Sequence, residues 1–512
     1  MAIEKGLDPK AKASVTSIIF KQRTLEKAAV ARDEIIAVIG QFQTGKTGVV
    51  ENIPVLGTGI PEDDAVRFGY GSPLHLASKK LYPRNGNGAK VSVYFVPLAD
   101  DNSATAATGS IVVVGAVEKA FTLVFKYRET EFESAADACG KIATNAQLNP
   151  AKAPRGINLD NFKVISFGIP MPKGIDDEAV IDRIIAELAE RPDVPFTYVK
   201  GVDGESNPKI TFTAKWKGVD ANKIKIEAVD QNGNAITDAV YGLDVTVLGM
   251  ASGAGNSDIQ TALDNLTEEF LVTRIVTQNN DETSLDQIQA WGEAMRDGLI
   301  SQIAVAYHGY EYPESETVSG TVDVDALVTL ADSRSEDAVN IMIGGNYAKE
   351  LRSLTWQQRD LLLKKGISNI PVLSNGKYRL KDVCTFYHQA GVLNSILAFD
   401  RDLCVLGNIA YDLRFVFDYG PSWQSVVLVS DDEQTNNPAT RSERDIKAEV
   451  NKRIAFYGLA AWLTNTAEAQ ELTEVEIDDL NPNRVNININ GQLSGVMRIT
   501  DIVNKLGFYF GS

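Results

Sequence analysis

The chain has 512 residues, 44% of them hydrophobic and 23% charged, and a net charge of −18. That length exceeds what one hydrophobic core serves and implies roughly two to four domains, while a negative balance with no basic cluster disfavours direct contact with nucleic acid, whose phosphates need Lys and Arg to neutralise them. No apolar run is long enough to cross a bilayer, Met1–Lys5 lacks the apolar core of a signal peptide, and three scattered cysteines (Cys139, Cys384, Cys404) cannot frame a disulfide scaffold; no membrane insertion and folding in a reducing cytoplasm are the expectation.

Residues 1–24 read as an extended arm: after a charged start comes Ala13–Phe20, in which Val15, Ser17, Ile18, Ile19 and Phe20 carry the strand signal. Arg32–Gly40 reads as a buried strand closed by Gly. Gly40–Thr47 then matches the phosphate-loop pattern G-x-x-x-x-G-K-[ST] in full, directly after a strand. That chemistry needs a helix starting at the Lys, whose first amides hold the phosphates, whereas Gly48-Val-Val-Glu-Asn-Ile-Pro-Val55 is a poor helix start and a good strand. A surface loop between strands is the favoured reading, with a nucleotide-hydrolysing motor or assembly enzyme using Gly40–Thr47 as the alternative.

Asp63–Leu81 reads as an interrupted helical stretch, Ala89–Pro97 as a strand, and Ala99–Gly109 as a linker into a module of different grain, roughly Ser110–Met250. Within it Ile111–Gly115, Phe121–Tyr127, Lys209–Trp216, Ile224–Ala228 and Asp244–Leu248 read as strands. Glu133–Asn145 and Asp176–Arg191 read as helices, the second having Val180, Ile184, Ile185 and Leu188 at helical spacing before Pro192. Ala251–Asn256 is the return linker.

From Asp258 helices and strands alternate: a helix to about Leu266, a strand at Phe270–Thr277, a helix at Ser284–Gly298, a strand at Gln302–Tyr307, a helix at Val324–Ala331 and a strand at Val339–Ile343. That order implies a mostly parallel sheet that takes in the strand ending at Gly40. A helix at Gln357–Lys365 stops at Gly366, and a hairpin turns at Ser374–Lys377. Arg441–Leu463 reads as a helix with Ile446, Val450, Ile454, Tyr457 and Ala461 on one face and Arg444, Lys447, Lys452 and Arg453 opposite. After the Asn481-Pro482-Asn483 turn, Val485, Ile487 and Ile489 alternate with Arg and Asn, as a strand with one buried face does, and Met497–Phe510 is a second extended apolar segment.

The fold class is therefore α/β and α+β multidomain. A central, mostly parallel α/β domain (25–100 with 255–375) carries an inserted α+β, β-rich domain (101–254), followed by a C-terminal α+β domain (376–490), with extended β arms at 1–24 and 491–512. Pattern alone favours pairing of both arms within their own subunit.

Little in the chain points to catalysis. His75, His308 and His388 stand far apart; no G-x-S-x-G, H-E-x-x-H or C-x-x-C occurs, and Asp230–Asn234 lacks calcium-loop spacing. The paired acids Asp63-Asp64, Asp176-Asp177 and Asp478-Asp479 sit where carboxylates serve as caps. Neither an enzyme nor a cofactor nor a metal site is expected.

Four segments, in one order, carry a resemblance. Asp479-Leu-Asn-Pro-Asn-Arg-Val-Asn-Ile-Asn-Ile489 with Ile502-Val-Asn-Lys-Leu-Gly-Phe508 resembles the end of the contractile-tail sheath subunits of Mu-like bacteriophages, with their D-P-N-R-[LV]-x-V run and final strand. Leu248–Asp258 is similar to that family's G-G-A-G-N-P-D linker, Ile35–Gln41 to its first core strand, and Arg359–Ser368 to its R-x-L-L-L-x-x-G-I-S segment. Leu480-Asn481 before Pro482 and the loop Gln41–Gly48 depart from it. The resemblance implies a structural subunit of the virion tail, assembled in the host bacterial cytoplasm, with no cofactor and no nucleotide. Such subunits polymerise as a helical sleeve around a tail tube and contract to drive the tube through the host envelope. It further implies an inserted domain on the outer surface and partners in the tube, baseplate and tail-terminator proteins. Finally, it implies arms exchanged between copies, carried here by Val15, Ser17, Ile18, Ile19, Phe20, Met497, Ile499, Ile502, Val503, Leu506, Phe508 and Phe510, which reverses the pairing favoured by pattern alone. The face with Arg444, Lys447, Lys452 and Arg453 is a candidate tube contact. A third reading, a non-assembling α/β binding protein, stays open.

Overall fold

The computed structural model describes residues 35–82, 92–128, 165–267 and 399–495, with shorter pieces between 270 and 381. The arm residues from Val15 to Phe20 and from Met497 to Phe510, the helices expected at Glu133–Asn145 and Val324–Ala331, and the turn at Ser374–Lys377 lie outside the described residues, as does most of Gln357–Lys365. The chain divides into two compact units, one ending at Ala410 and one running from Tyr411 to Ser494.

In chain order the first unit has β1 (Ile35–Gln41), β2 (Val55–Leu56), α1 (Pro61–Phe68), α2 (Pro73–Leu81), β3 (Ser92–Leu98), β4 (Ala106–Gly115), β5 (Phe121–Arg128) and β6 (Ile165–Met171). There follow α3 (Asp177–Ala189), β7 (Phe196–Val202), β8 (Pro208–Lys217), β9 (Lys225–Asp230), β10 (Leu243–Ala251), α4 (Gln260–Asn265), β11 (Arg274–Thr277), α5 (Glu282–Arg296) and β12 (Val305–Ala306). A further pair, β13 (Asn340–Ile343) and β14 (Tyr378–Lys381), is antiparallel.

The central sheet runs β12-β11-β1-β3-β2. β1 lies parallel to both β11 and β3, with Val38 opposite Val276 on one side and Phe95 on the other. Parallel strands covered on both faces read as unbroken apolar runs, which is why Ile36–Gln41 is buried throughout instead of at every second residue. One face is covered by α1 and α2, with Phe68 tilted against Phe95 at 5.2 Å between ring centroids. On the other, Ile259, Leu263, Ile288 and Trp291 pack on Ala37, Ile39, Val96 and Ile275. β2 closes one edge, antiparallel to β3.

The inserted module leaves after β3 and returns before α4. It pairs a four-stranded antiparallel sheet, β10-β4-β8-β7, with a three-stranded one, β6-β5-β9. β8 alternates strictly: Ile210, Phe212, Ala214 and Trp216 are buried, and the residues between them are not, as a one-sided sheet requires. Their partners come from the second sheet (Phe125, Tyr127, Phe167) and from Val180, Ile181, Ile184 and Leu188 of α3. Asp176 caps α3, its carboxylate accepting from Ala179 N at 2.9 Å.

The connections differ from the expected free linkers. β4 starts at Ala106, within the stretch read as Ala99–Gly109. The two strands of the neck are bonded to each other, Thr105 N to Ala254 O at 2.9 Å and Ala254 N back to Thr105 O at 3.2 Å. Asn222 bonds both backbone groups of Gly253, and Ser257 Oγ donates to Ala99 O. Backbone polar groups in a crowded neck need partners, and here each connection supplies the other's.

A second contact seats the module on the body. Gly71 sits at φ +76, and a Cβ there would meet Val194 O at 2.2 Å, so only glycine lets the two backbones approach. Lys79 pairs with Asp193 at 2.9 Å, and Lys215 Nζ donates to Tyr70 O and Pro192 O at 2.7 and 2.8 Å. Beneath them His75 is buried, its Nδ1 accepting from Gly71 N at 2.8 Å. Burial, with help from Lys79 and Lys215 against the opposing carboxylates of Asp193 and Glu62, lowers His75 from 6.5 to about 4. Protonation would turn the acceptor at Gly71 into a donor facing a donor.

The unfolded chain takes up a proton at His75 near 6.5 and the folded one only near 4, so this residue makes stability fall as pH drops through that window and adds nothing above it. The expected loss is about 3 kcal/mol. Urea unfolding of the full chain from pH 7 to 4 measures it; His75→Gln, which keeps an acceptor and cannot titrate, should flatten the curve there.

Candidate functional site

Two places where buried polar groups gather bear on the sequence-based site expectations. The first is the crevice at the carboxyl ends of β1 and β11, where the strand order reverses: the chain steps from β1 to β3 on one side and returns to β11 on the other. Open parallel sheets bind ligands at such a switch point. Here the polar groups at the strand ends bond one another. Gln41 is buried and its Nε2 donates to Asp100 Oδ1 at 2.7 Å and to Lys217 O at 2.9 Å. Across from it Asn279 Nδ2 donates to Ser257 O at 2.7 Å, both residues being buried. Burial raises the Asp100 carboxyl above its ordinary value, against the bonds from Lys217 and Gln41. These bonds join the end of β1 and the stretch after β11 to the residues that lead into and out of the inserted module.

The phosphate-loop match lies beside this crevice. After Gln41 the chain turns at Thr44-Gly45 and again at Thr47-Gly48, with Gly45 at φ +84 and Gly48 at φ +83, and goes on to a third turn and β2. No helix starts at Lys46. Without a helical N-terminus the loop lacks the aligned amides that hold phosphates. Among the described residues no group of three or more His, Cys, Asp and Glu stands in metal-binding proximity. Asp64, expected as a cap, is instead a buried anchor accepting from Ser78 Oγ at 2.6 Å and Thr58 Oγ1 at 3.1 Å.

The second place is the C-terminal unit. It comprises the end of α6 (Asp400–Arg414), the parallel pair β15 (Val427–Leu428) and β16 (Thr440–Arg441), α7 (Glu443–Leu459), β17 (Leu463–Thr464), α8 (Thr466–Glu471), β18 (Glu474–Ile477), β19 (Val485–Asn488) and β20 (Gln492–Leu493). α7 starts on a capping box, Ser442 with Asp445. It stops at Leu459, short of the expected Leu463, because Ala461 takes φ +57. Ala461 is therefore exposed and off the apolar face, while Ile446, Val450, Ile454 and Tyr457 are buried as expected.

The basic face needs correction. Arg453 is not on the solvent side: it is 7% exposed, and its Nε and Nη2 both bond the carboxylate of Asp412, which is fully buried. Tyr457 donates to the same carboxylate at 2.8 Å. Burial works against the Arg453 charge, yet Asp412 more than offsets it and raises the guanidinium; burial and Asp412 together push the Tyr457 phenol up. Arg444 is exposed but tied by its backbone N to Asp431 at 3.0 Å. Lys447, half-buried, and Lys452, exposed, remain of the four. Asp412 and α6 carried no expectation from sequence; a carboxylate buried 41 residues away from its arginine leaves no local signal.

Around α7 lie three two-stranded ribbons: β15–β16, β17–β20 and β18–β19. Ile477 N, on β18, donates to Glu443 Oε1 of α7 at 2.7 Å, which covers that side of the third ribbon. β19 pairs with β18 alone among the described residues, and Ile487 on it is 37% exposed. The expected buried face of Val485 and Ile487 is only half-covered.

No family model and no curated protein matches this sequence. Among solved structures the chain is similar to a sheath tail protein from Desulfitobacterium hafniense (11% identity, 94% of this chain and 96% of that one, TM-score 0.43). It is similar, too, to a sheath tail protein from Listeria innocua (10% identity, 92% and 94%, TM-score 0.43) and to the helical sheath of the anti-feeding prophage in its contracted state (11% identity, 97% and 99%, TM-score 0.38). Identities this low transfer no residue roles.

Removing one partner of a buried ion pair leaves the other charge uncompensated and costs about 3–5 kcal/mol. Asp412→Asn should therefore lower the stability of the C-terminal unit by about 3 kcal/mol or more, read from the urea midpoint of Trp462 fluorescence, whose ring stacks on Tyr457. In the first unit, ATP and GTP should show no micromolar binding by calorimetry, and Lys46→Ala should change nothing.

Proposed function

We propose that this chain is the structural subunit of a contractile tail sheath: it polymerises as a helical sleeve around a tail tube and contracts to drive that tube through a host cell envelope. The role is structural, not enzymatic. The observation that carries the reading is β19, which lies on the residues that resemble the end of sheath subunits, pairs with β18 on one side and has no second partner among the described residues. An edge strand with one partner accepts another strand by backbone hydrogen bonding. The arms at 1–24 and, past β20, at 496–512, β-forming by sequence, are the strands that such an edge takes from neighbouring copies; Gln492 and Leu493, at the start of the expected 491–512 arm, pair instead with β17 of the same chain. In this reading the subunits form a mesh that stays connected while their bodies rotate, as a non-closing head-to-tail contact demands.

The partners in this reading are further copies of the chain, the tail tube protein, and baseplate and terminator proteins at the ends, with the virion tail as the final location. Lys447 and Lys452, with Arg444, are the candidate tube contacts; Arg453 serves the interior. The motor reading loses its footing because no helix follows Lys46.

Electron microscopy of the purified full chain at rising concentration should show sleeves. Removing residues 1–24, or substituting Ile502→Asp with Phe508→Asp, should leave folded single subunits. A parent chain that stays monomeric under all conditions sinks the reading. Mixed with the tube protein, Lys447→Glu/Lys452→Glu chains should co-assemble poorly; unchanged co-assembly removes α7 from the tube contact.

A further inference from the structure

The inserted module is fastened to the body at the neck and at the seat, and the two fastenings differ in chemistry. At the neck, Thr105 and Ala254 exchange backbone bonds, the Asn222 amide bonds both backbone groups of Gly253, and Ser257 Oγ donates to Ala99 O. None of those groups titrates. Asp100, beside them, accepts from Gln41 Nε2 and from Lys217 N on the same oxygen, Oδ1, so a proton on Oδ2 leaves both bonds standing.

The seat is built from ionisable side chains. The turn Gly69–Ser72 presents Tyr70 O to Lys215 Nζ of β8 at 2.7 Å, and it lays Gly71 so close to Val194 that a Cβ would meet Val194 O at 2.2 Å. Behind that turn stands His75, on α2 and 3% exposed. Its Nδ1 accepts from Gly71 N at 2.8 Å, which an imidazole does only when it is neutral and carries its proton on Nε2. The charged groups facing it are Lys79 from its own helix, Asp193 from the turn before β7, Lys215 from β8 and Glu62 from α1, two of each sign. Leu76, next to it on α2, packs into the module's apolar core and helps keep the seat shut while His75 is neutral.

A proton on Nδ1 sets N–H against N–H at Gly71 and brings a third cation among Lys79 and Lys215. The disturbance falls on the residue that is pressed against the module. We infer that the seat is an acid-released latch: protonation of His75 breaks its bond to Gly71, parts the turn Gly69–Ser72 from Val194, and lets the inserted module swing on an intact neck. The other seat groups keep their charge meanwhile. Burial raises the Asp193 carboxyl, but Lys79 outweighs burial and holds it below its ordinary value. Lys215, which burial brings down to about 8, is already charged. A closed seat takes up its proton near 4, chiefly because of burial, and an opened one near 6.5, so acid drives opening between those values and gives no drive above them.

Hydrogen exchange of the full chain at pH 7 and pH 5, read by mass spectrometry and corrected for the intrinsic effect of pH on exchange, tests this. Opening should be about twentyfold more favourable at pH 5 than at pH 7. Protection should fall accordingly in peptides covering residues 69–76 and 191–196. At the neck, 104–107 and 252–256, and in β1 it should stay within about twofold. An equal fall at the neck and in β1, or no fall at the seat, overturns the proposal. His75→Asn, whose Oδ1 can stand in for Nδ1 and cannot titrate, should abolish the difference between the two pH values, whereas His308→Asn/His388→Asn should keep it; the reverse pattern also overturns it. If His75→Asn does not fold, the parent's pattern and the His308/His388 variant decide. Opening of the latch needs no assembly, so a chain that never forms sleeves would retire the sheath reading and leave this result standing.

Discussion

The first unit depends on how β1 is held. Like β11 it has parallel partners on both sides; it lies at the centre of the five-stranded sheet with helices over both faces, and its last residue is a buried glutamine. A buried amide must find its hydrogen bonds or cost several kcal/mol. Gln41 finds them on Asp100, just ahead of the inserted module, and on Lys217 at the end of β8. One side chain thus ties the centre of the sheet to the module.

The neck and the seat act together. The neck alone, two antiparallel connections bonded at Thr105 and Ala254, would leave the module free to swing. The close approach at Gly71 and Val194, with Lys79–Asp193 and the Lys215 bonds to Tyr70 and Pro192, supplies a second point of fixation. Lys215 is brought down to about 8 by burial, so at neutral pH its ammonium is still charged and still holds two carbonyls. The module is thus fixed to the body at two points.

Much of this was legible because it is local. An unbroken apolar run before Gly40 marked β1 as a buried parallel strand, and the spacing of Val180, Ile184 and Leu188 ahead of Pro192 marked α3 to within two residues. The phosphate-loop pattern was legible as a decoy for the same reason: the residues after Lys46 favour strand over helix, and the chain there turns instead. What could not be read was the pairing of distant polar residues. Periodicity placed Arg453 beside Lys452 on the wet face; the wide apolar stripe of a packed helix takes in such flanking positions when a carboxylate waits for them. Only the fold brings Asp412 to it. The neck misled for a related reason, since small polar residues look like a free linker until their backbone partners are known.

A chain whose C-terminal unit consists of short ribbons around one helix poses an energetic question. Ribbons of two strands are marginal by themselves, and α7 with Trp462 and the Asp412–Arg453–Tyr457 cluster provides the only extensive burial among the unit's described residues. Such a unit gains from each strand added to an open edge, because the added strand satisfies backbone groups and covers half-exposed side chains such as Ile487 at once. The first unit has the opposite character: its sheet edge at β2 offers apolar side chains, Leu56 among them, while Arg67 already occupies a backbone carbonyl there. Contacts made by backbone pairing keep their register, whereas contacts made by apolar side chains can be broken and remade as bodies slide. The two units thus offer contacts of different kinds, backbone pairing at β19 and apolar side chains at β2.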